Sequence, residues 1–140
     1  MFPVYYFYND FVLLILRVIL GLVLISHGWP KLKDLRGTAK SFEEGMGFKP
    51  GRLWATIAMI VEFFGGIALI LGIFTQGAAG LVLIQFLVII IWKILKKSPI
   101  VGGLELDLLI WVVAVFLSVH GAGAISLDQR IYFSGLTDYL

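Results

Sequence analysis

The sequence predicts an all-α fold, a transmembrane four-helix bundle with a short interfacial helix in its first loop. Three observations lead there. Hydrophobic residues make up 60% of the 140 and charged residues 14%, against roughly 45–50% and about 25% in soluble domains. Four apolar stretches are each close to the about 20 residues that a helix needs to cross a bilayer. The segments between them alternate sharply in charge. A soluble enzyme of this size would have nowhere to bury so much apolar surface, and a disordered chain would be far more polar. Backbone hydrogen bonds must be satisfied within each span, so the spans are helices. The alternating pattern of a β-barrel strand is missing from these runs.

The spans fall at about residues 11–29, 54–74, 78–95 and 104–120, in one membrane domain covering 1–140. The leader MFPVYYFYND has no Lys or Arg, and SHGWPK is no cleavage signal, so the first span is expected to stay in the mature protein. Both termini lie on one side, called side A here. Side A holds residues 1–10, the turn Thr75–Gly77 and residues 121–140, with Arg130 as its one basic residue. Side B holds the loops 30–53 and 93–103, with Lys31, Lys33, Arg36, Lys40, Lys49, Arg52, Lys93, Lys96 and Lys97. Nine basic residues against one are expected to put side B in the cytoplasm and both termini outside, in a multi-pass protein of the cell membrane. Trp29, Trp54 and Trp92 fall at the side-B interface, and Tyr5, Tyr6, Tyr8, Tyr132 and Tyr139 at side A, depths that suit amphipathic rings.

In the first loop, Leu35, Ala39, Phe42 and Met46 follow the spacing of one helical face, with Lys40, Glu43 and Glu44 off it. A short helix lying on the membrane surface is expected there. Gly37, Gly45 and Gly47 leave an irregular loop as the alternative.

The chemical information sits in the polar residues inside the membrane, where a charge costs about 2.5–3.5 kcal/mol on insertion scales. Glu62 lies nine residues past Leu53, so about 13 Å below side B, too deep for a glutamate to reach water. It is either a protonated or ion-paired structural group or a functional carboxylate. Arg17 lies about 9 Å below side A; it either snorkels or pairs with Glu62, and Glu62 is expected to face the bundle interior with Arg17 as partner. His27 and Lys31 share a helical face near side B. Glu105 and Asp107 open the fourth span and, two residues apart, point to different faces, so only one of them can face the bundle, and at the span entrance solvation of both is the alternative. Gln85 is placed mid-span as an interhelical hydrogen-bond donor.

With no cysteine, disulfides, thiol redox chemistry and iron–sulfur clusters are excluded. His27 and His120 lie at opposite ends of the bundle, too far apart to share a haem, and no His–carboxylate cluster recurs on one face, so no metal site is expected. No phosphate loop and no nucleophile elbow occur, and nothing points to nucleic acid.

The polar landmarks have a recognisable order: Arg17 and Gly21, then His27-Gly28 and Lys31, then Glu62 with Gly65-Gly66, L-G-I-F-T from Leu71 to Thr75, Gly102-Gly103-Leu104-Glu105-Leu106, and G-A-G-A-I-S-L-D from Gly121 to Asp128. This resembles the DoxX family of small four-span membrane proteins over nearly the whole chain. The resemblance implies a four-helix membrane bundle and an association with quinone-linked oxidoreductases. It places Arg17, His27, Lys31, Glu62, Glu105, Ser126 and Asp128 at motif positions. Of these, Arg17, His27, Lys31, Glu62 and Glu105 form the candidate intramembrane polar site. The G-A-G-A-I-S-L-D ending reads as a structural turn whose glycines permit positive φ, with Ser126 or Asp128 capping the next turn of the chain.

Three functions stay open on the sequence. The first is a membrane subunit of a quinone-linked oxidoreductase system, with a quinone as ligand, no covalently bound cofactor, and electrons from a soluble or membrane redox partner. The second is a small-molecule or ion transporter, which four helices would require to be a homo-oligomer. The third is a non-catalytic scaffold whose buried charges fix helix register.

Overall fold

Residues 4–137 are described by a computed structural model. Helix α1 (Val4–Lys33) is 30 residues long. A short α2 (Leu35–Lys40) runs on as a π-helical turn over Ser41–Gly45. The second span is a single rod in three parts: α3 (Gly51–Met59), a π-helical turn at Ile60–Phe64, and α4 (Gly65–Leu71). Then come α5 (Thr75–Leu95), a kinked turn at Ile100–Leu104, α6 (Glu105–His120) and α7 (Leu127–Thr137). Four stretches are long and apolar enough to cross a membrane: Tyr8–Lys33, Gly51–Leu71, Thr75–Leu95 and Ile100–His120. The first extends further than its apolar run suggests because α1 continues through Pro30 to Lys33, and the last takes in the kinked turn at Ile100–Leu104. The side chains of Tyr5 and Tyr6, and all of Tyr139, lie outside the described residues.

Two helical hairpins make the bundle. In the first, α1 meets the second span backbone to backbone. A Cβ built on Gly21 would lie 2.6 Å from the Gly66 carbonyl oxygen, and one on Gly66 would lie 2.7 Å from that of Gly21. A Cβ on Gly28 would lie 2.6 Å from the Phe63 nitrogen. Lipid tails are as apolar as Leu, so close van der Waals approach between small residues holds such helices together. In the second hairpin, α5 lies along α6. The shared core is built from Leu20, Leu24, Leu69, Val82, Phe86, Ala114 and Leu117, while Ile19, Leu22, Leu109 and Val112 point outward into the position of lipid.

Side A is fastened by the chain's C-terminal motif. Gly72 sits at φ 69 and Phe74 at φ 50, a left-handed conformation that an aromatic residue rarely adopts. The Asp128 carboxylate holds this turn by accepting from the Phe74 N–H at 2.6 Å and the Thr75 N–H at 2.9 Å, and so caps α5 from a distant part of the chain. The Asp128 N–H donates to the Gly72 carbonyl. Gly121 and Gly123 take φ values of 76 and 77. The Ala124 N–H donates to Asp10, and the Ser126 hydroxyl accepts from the Gln129 N–H at the start of α7. Ser126 therefore caps the next helix, while Asp128 caps an earlier one. Asp128→Ala should lower stability by about 1–2 kcal/mol, the usual loss for a capping group, read as thermal unfolding in bicelles; an unchanged midpoint would remove Asp128 from this role.

Candidate functional site

The first loop builds a roof at side B. Asp34 caps α2 by accepting from the Gly37 N–H at 2.9 Å, and the helical spacing turns Phe42 and Met46 inward while Lys40, Glu43 and Glu44 are exposed. The Phe48 ring packs between Phe42 (centroids 6.4 Å apart) and Trp54 (6.2 Å). Beneath this aromatic cluster lies a cavity of about 460 Å³, bounded by α1, the second span and α5, with Asp107 of α6 at its edge. Its walls are mostly apolar. Those contributed by α5 include Leu81, Ile84 and Val88, which are 52%, 60% and 46% exposed, so this side of the cavity gives onto the hydrocarbon.

The cavity's polar end centres on Glu62, only 2% exposed. Glu62 sits in the π-helical turn Ile60–Phe64, where one extra residue per turn changes the direction of the later side chains. The Lys31 ammonium donates to Glu62 Oε2 as an ion pair, and Gln85 Nε2 donates to Oε1 at 2.6 Å. Both carboxylate oxygens are thus held by donors, one charged and one neutral, as a buried carboxylate requires. Lys31 also reaches the His27 carbonyl at 3.4 Å. A second ion pair lines the cavity from the other hairpin: Lys93 donates to Asp107 at 2.5 Å and to the Gly103 carbonyl at 2.8 Å. Each hairpin therefore brings one internally neutralised pair to the cavity, and the Gln85–Glu62 bond links them.

Lys31, Glu62 and His27 come together as cavity residues, His27 at an exposed edge. Arg17 and Glu105 do not join them. Arg17 is fully buried at the other end of the bundle, donating to the Ile125 carbonyl and, at 3.5 Å, to that of Leu69. The expected Arg17–Glu62 pair is thus replaced by Lys31–Glu62. The reason is register: Gly28, packed on Phe63, lies eleven residues beyond Arg17, about 16 Å along the helix. Arg17 is instead level with Gly72, where an added Cβ would lie 2.0 Å from its Nη1. Glu105 is exposed and accepts from the Gly102 N–H at 3.1 Å, bracing the turn before α6. Of the two acidic residues there, Asp107 is the inward one.

Gln85 is the interhelical donor that its mid-span position suggests. The Lys93–Asp107 pair was not legible, because each residue stands near a span end where solvation is the default. The available signal was the shortness of the 96–99 connection, which brings two residues fourteen apart to the same level of an antiparallel hairpin.

The model of the DoxX family matches residues 12–94, a range that holds Arg17, His27, Lys31, Glu62, Gln85 and Lys93. A Haemophilus influenzae protein described as uncharacterized is 30% identical over 130 residues, covering 89% of this chain and 94% of that protein. No solved structure matches. With the family model matching more than half of the chain, and with four membrane-spanning helices, this is a multi-pass membrane protein that belongs to the DoxX family.

Proposed function

We propose that the chain is a membrane subunit of a quinone-linked oxidoreductase system, acting with a redox partner, and that the side-B cavity holds the quinone ring. The observation that carries this reading is the cavity itself: an apolar and aromatic space of about 460 Å³ that ends on Lys31, Glu62 and Gln85. Small-molecule sites are of this kind, mostly apolar with a few converging polar groups. Trp54 and Phe48 supply flat walls for a ring and keep water from the side-B surface out. The Lys31 and Lys93 ammonium groups are donors for a ring oxygen, and Glu62 orients Lys31. A bound quinone supplies two-electron, two-proton chemistry, and the electrons come from a partner protein that carries its own redox group.

The test is thermal unfolding in bicelles with a decyl-substituted benzoquinone. Saturating probe should raise the midpoint of the wild-type protein, and Lys31→Met together with Glu62→Gln should weaken that effect about tenfold or more in probe concentration, the worth of one charge-assisted hydrogen bond. No stabilisation of the wild type at any probe level would overturn the reading and leave a scaffold or a transporter.

The same proposal places the chain in the cell membrane with both termini outside, on the nine-to-one basic bias toward side B. A phosphatase reporter fused after Leu140 should then be active, since it folds only outside the cytoplasm. Activity from a cytoplasm-only reporter at the same position would reverse the orientation.

A further inference from the structure

We propose that a second cavity, between α2 and the start of α3 at the side-B surface, is a headgroup site for an anionic glycerophospholipid, with Arg36 and Arg52 holding the phosphodiester. The site shares no lining residue with the quinone cavity and does not depend on what that cavity binds.

The first loop builds the site. Arg36 and Lys40 are four residues apart on α2 and so share a helical face. Lys49 and Arg52 flank the start of α3. The two elements meet backbone to backbone, since a Cβ added to Gly51 would run into the Ala39 carbonyl oxygen, and Asp34 pins the other end of α2. The four cations thus line one cavity of about 710 Å³, with Leu35 and Ala39 as apolar wall. Like charges gathered in this way repel one another. Among the described residues the ion pairs are Lys31–Glu62 and Lys93–Asp107, so none of the four cations is neutralised by a partner. Glu43 and Glu44 line the cavity too, but Glu43 accepts from the Gly51 N–H at 3.3 Å and neither carboxylate bridges to a cation. Four positive charges against two negative ones suit a single phosphate, and not a polyphosphate or a nucleic-acid strand.

Depth identifies where that phosphate comes from. Arg52 stands two residues before Trp54, about 3 Å along the helix axis, and a tryptophan at a span end sits at the level of the lipid headgroups. Leu53 and Trp54 are 51% and 44% exposed, so an apolar surface for an acyl chain begins on the same turn as Arg52. A guanidinium matches a phosphodiester with two parallel N–H···O bonds, while an ammonium acts as a point charge; Lys40 and Lys49 add charge around the two arginines. Glu44 is the acceptor available to a headgroup hydroxyl, as in phosphatidylglycerol. A zwitterionic headgroup brings its own cation into a cavity that already has an excess of positive charge, and is disfavoured. Dissolved phosphate meets the same cations but has no acyl chains to hold it at the membrane surface.

The test is thermal unfolding of the full chain in phosphatidylcholine bicelles into which phosphatidylglycerol is titrated at constant ionic strength. The wild-type midpoint should rise and saturate, and Arg36→Gln combined with Arg52→Gln should need about ten times the mole fraction for half of the effect, the worth of a charge-assisted hydrogen bond. Lys96→Gln combined with Lys97→Gln removes the same charge from exposed positions of the other side-B loop and should keep the wild-type half-point, which separates a site from the general attraction of a basic face to an anionic surface. Equal displacement of the half-point by the two double variants would overturn the site. Inorganic phosphate added to bicelles without phosphatidylglycerol should not reproduce the rise; an equal rise at the same total concentration would overturn the lipid as its source. No stabilisation by phosphatidylglycerol at any mole fraction would overturn the proposal and leave the basic loop as a surface for an acidic protein. Should the arginine double variant not fold, Arg36→Gln alone, on the exposed side of α2, decides by a shift of about threefold against none for the Lys96 and Lys97 variant.

Discussion

Lys31→Met should be among the most damaging substitutions in the chain, lowering stability by about 3–5 kcal/mol, because it leaves the Glu62 carboxylate buried with only Gln85 as partner. Glu62→Gln should cost less, about 1–2 kcal/mol. The side chain of Lys31 is 21% exposed, against 2% for Glu62, so the orphaned ammonium has a path to water that the orphaned carboxylate lacks. The double substitution should then be milder than the sum of the two by at least about 1 kcal/mol, the signature of a direct pair. Arg17→Met combined with Glu62→Gln should be additive, since Arg17 is engaged with the Ile125 and Leu69 carbonyls at the far end of the helix. Both cycles are read by thermal or denaturant unfolding in bicelles. Additive losses for Lys31 and Glu62 with coupled losses for Arg17 and Glu62 would reverse the assignment.

The second large effect is expected at the helix contact that sets this register. Gly66→Ala puts a methyl carbon 2.7 Å from the Gly21 carbonyl oxygen, backbone against backbone, so two helices must separate to admit it. A cost of about 2–3 kcal/mol is expected, in the range of overpacking elsewhere. The neighbouring Gly65 has open space at its Cβ position, and Gly65→Ala should be neutral or slightly stabilising through the better helix propensity of alanine. The comparison isolates the contact from the general effect of adding a methyl group. Equal effects at 65 and 66 would mean that the two helices do not meet through Gly66.

Both predictions turn on what the sequence could and could not reveal. The spans were legible because each is a run of apolar residues near bilayer length, and the roof was legible because Leu35, Ala39, Phe42 and Met46 mark one face of a helix. Glu62 announced itself as a carboxylate too deep to reach water. Its partner was hidden for two physical reasons. Counting depth inward from the ends of the apolar runs shortens α1, which in fact continues four residues past Trp29, through Pro30 to Lys33. The π-helical turn at Ile60–Phe64 also shifts the phase of the second span, and no residue pattern encodes that shift. Which side chains meet across two helices depends on the sliding position fixed by Gly21, Gly28 and Gly66, a property of the pair and of neither helix alone. Asp107 was hidden differently: next to Glu105 at a span entrance, its inward face emerges only once the turn at Gly102 has set the rotation of α6.

The most direct measurement of the central claim is where a lipid-soluble quinone attaches. A photoactivatable azido-quinone, incorporated into bicelles with the protein and irradiated, should label peptides that hold Trp54, Ile57, Ile84 or Trp92 on the cavity wall. Labelling should fall when unlabelled decyl-substituted hydroquinone is added in excess. Labelling spread along the lipid-facing residues Ile19, Leu109 and Val112, and indifferent to the competitor, would contradict a quinone site in this cavity.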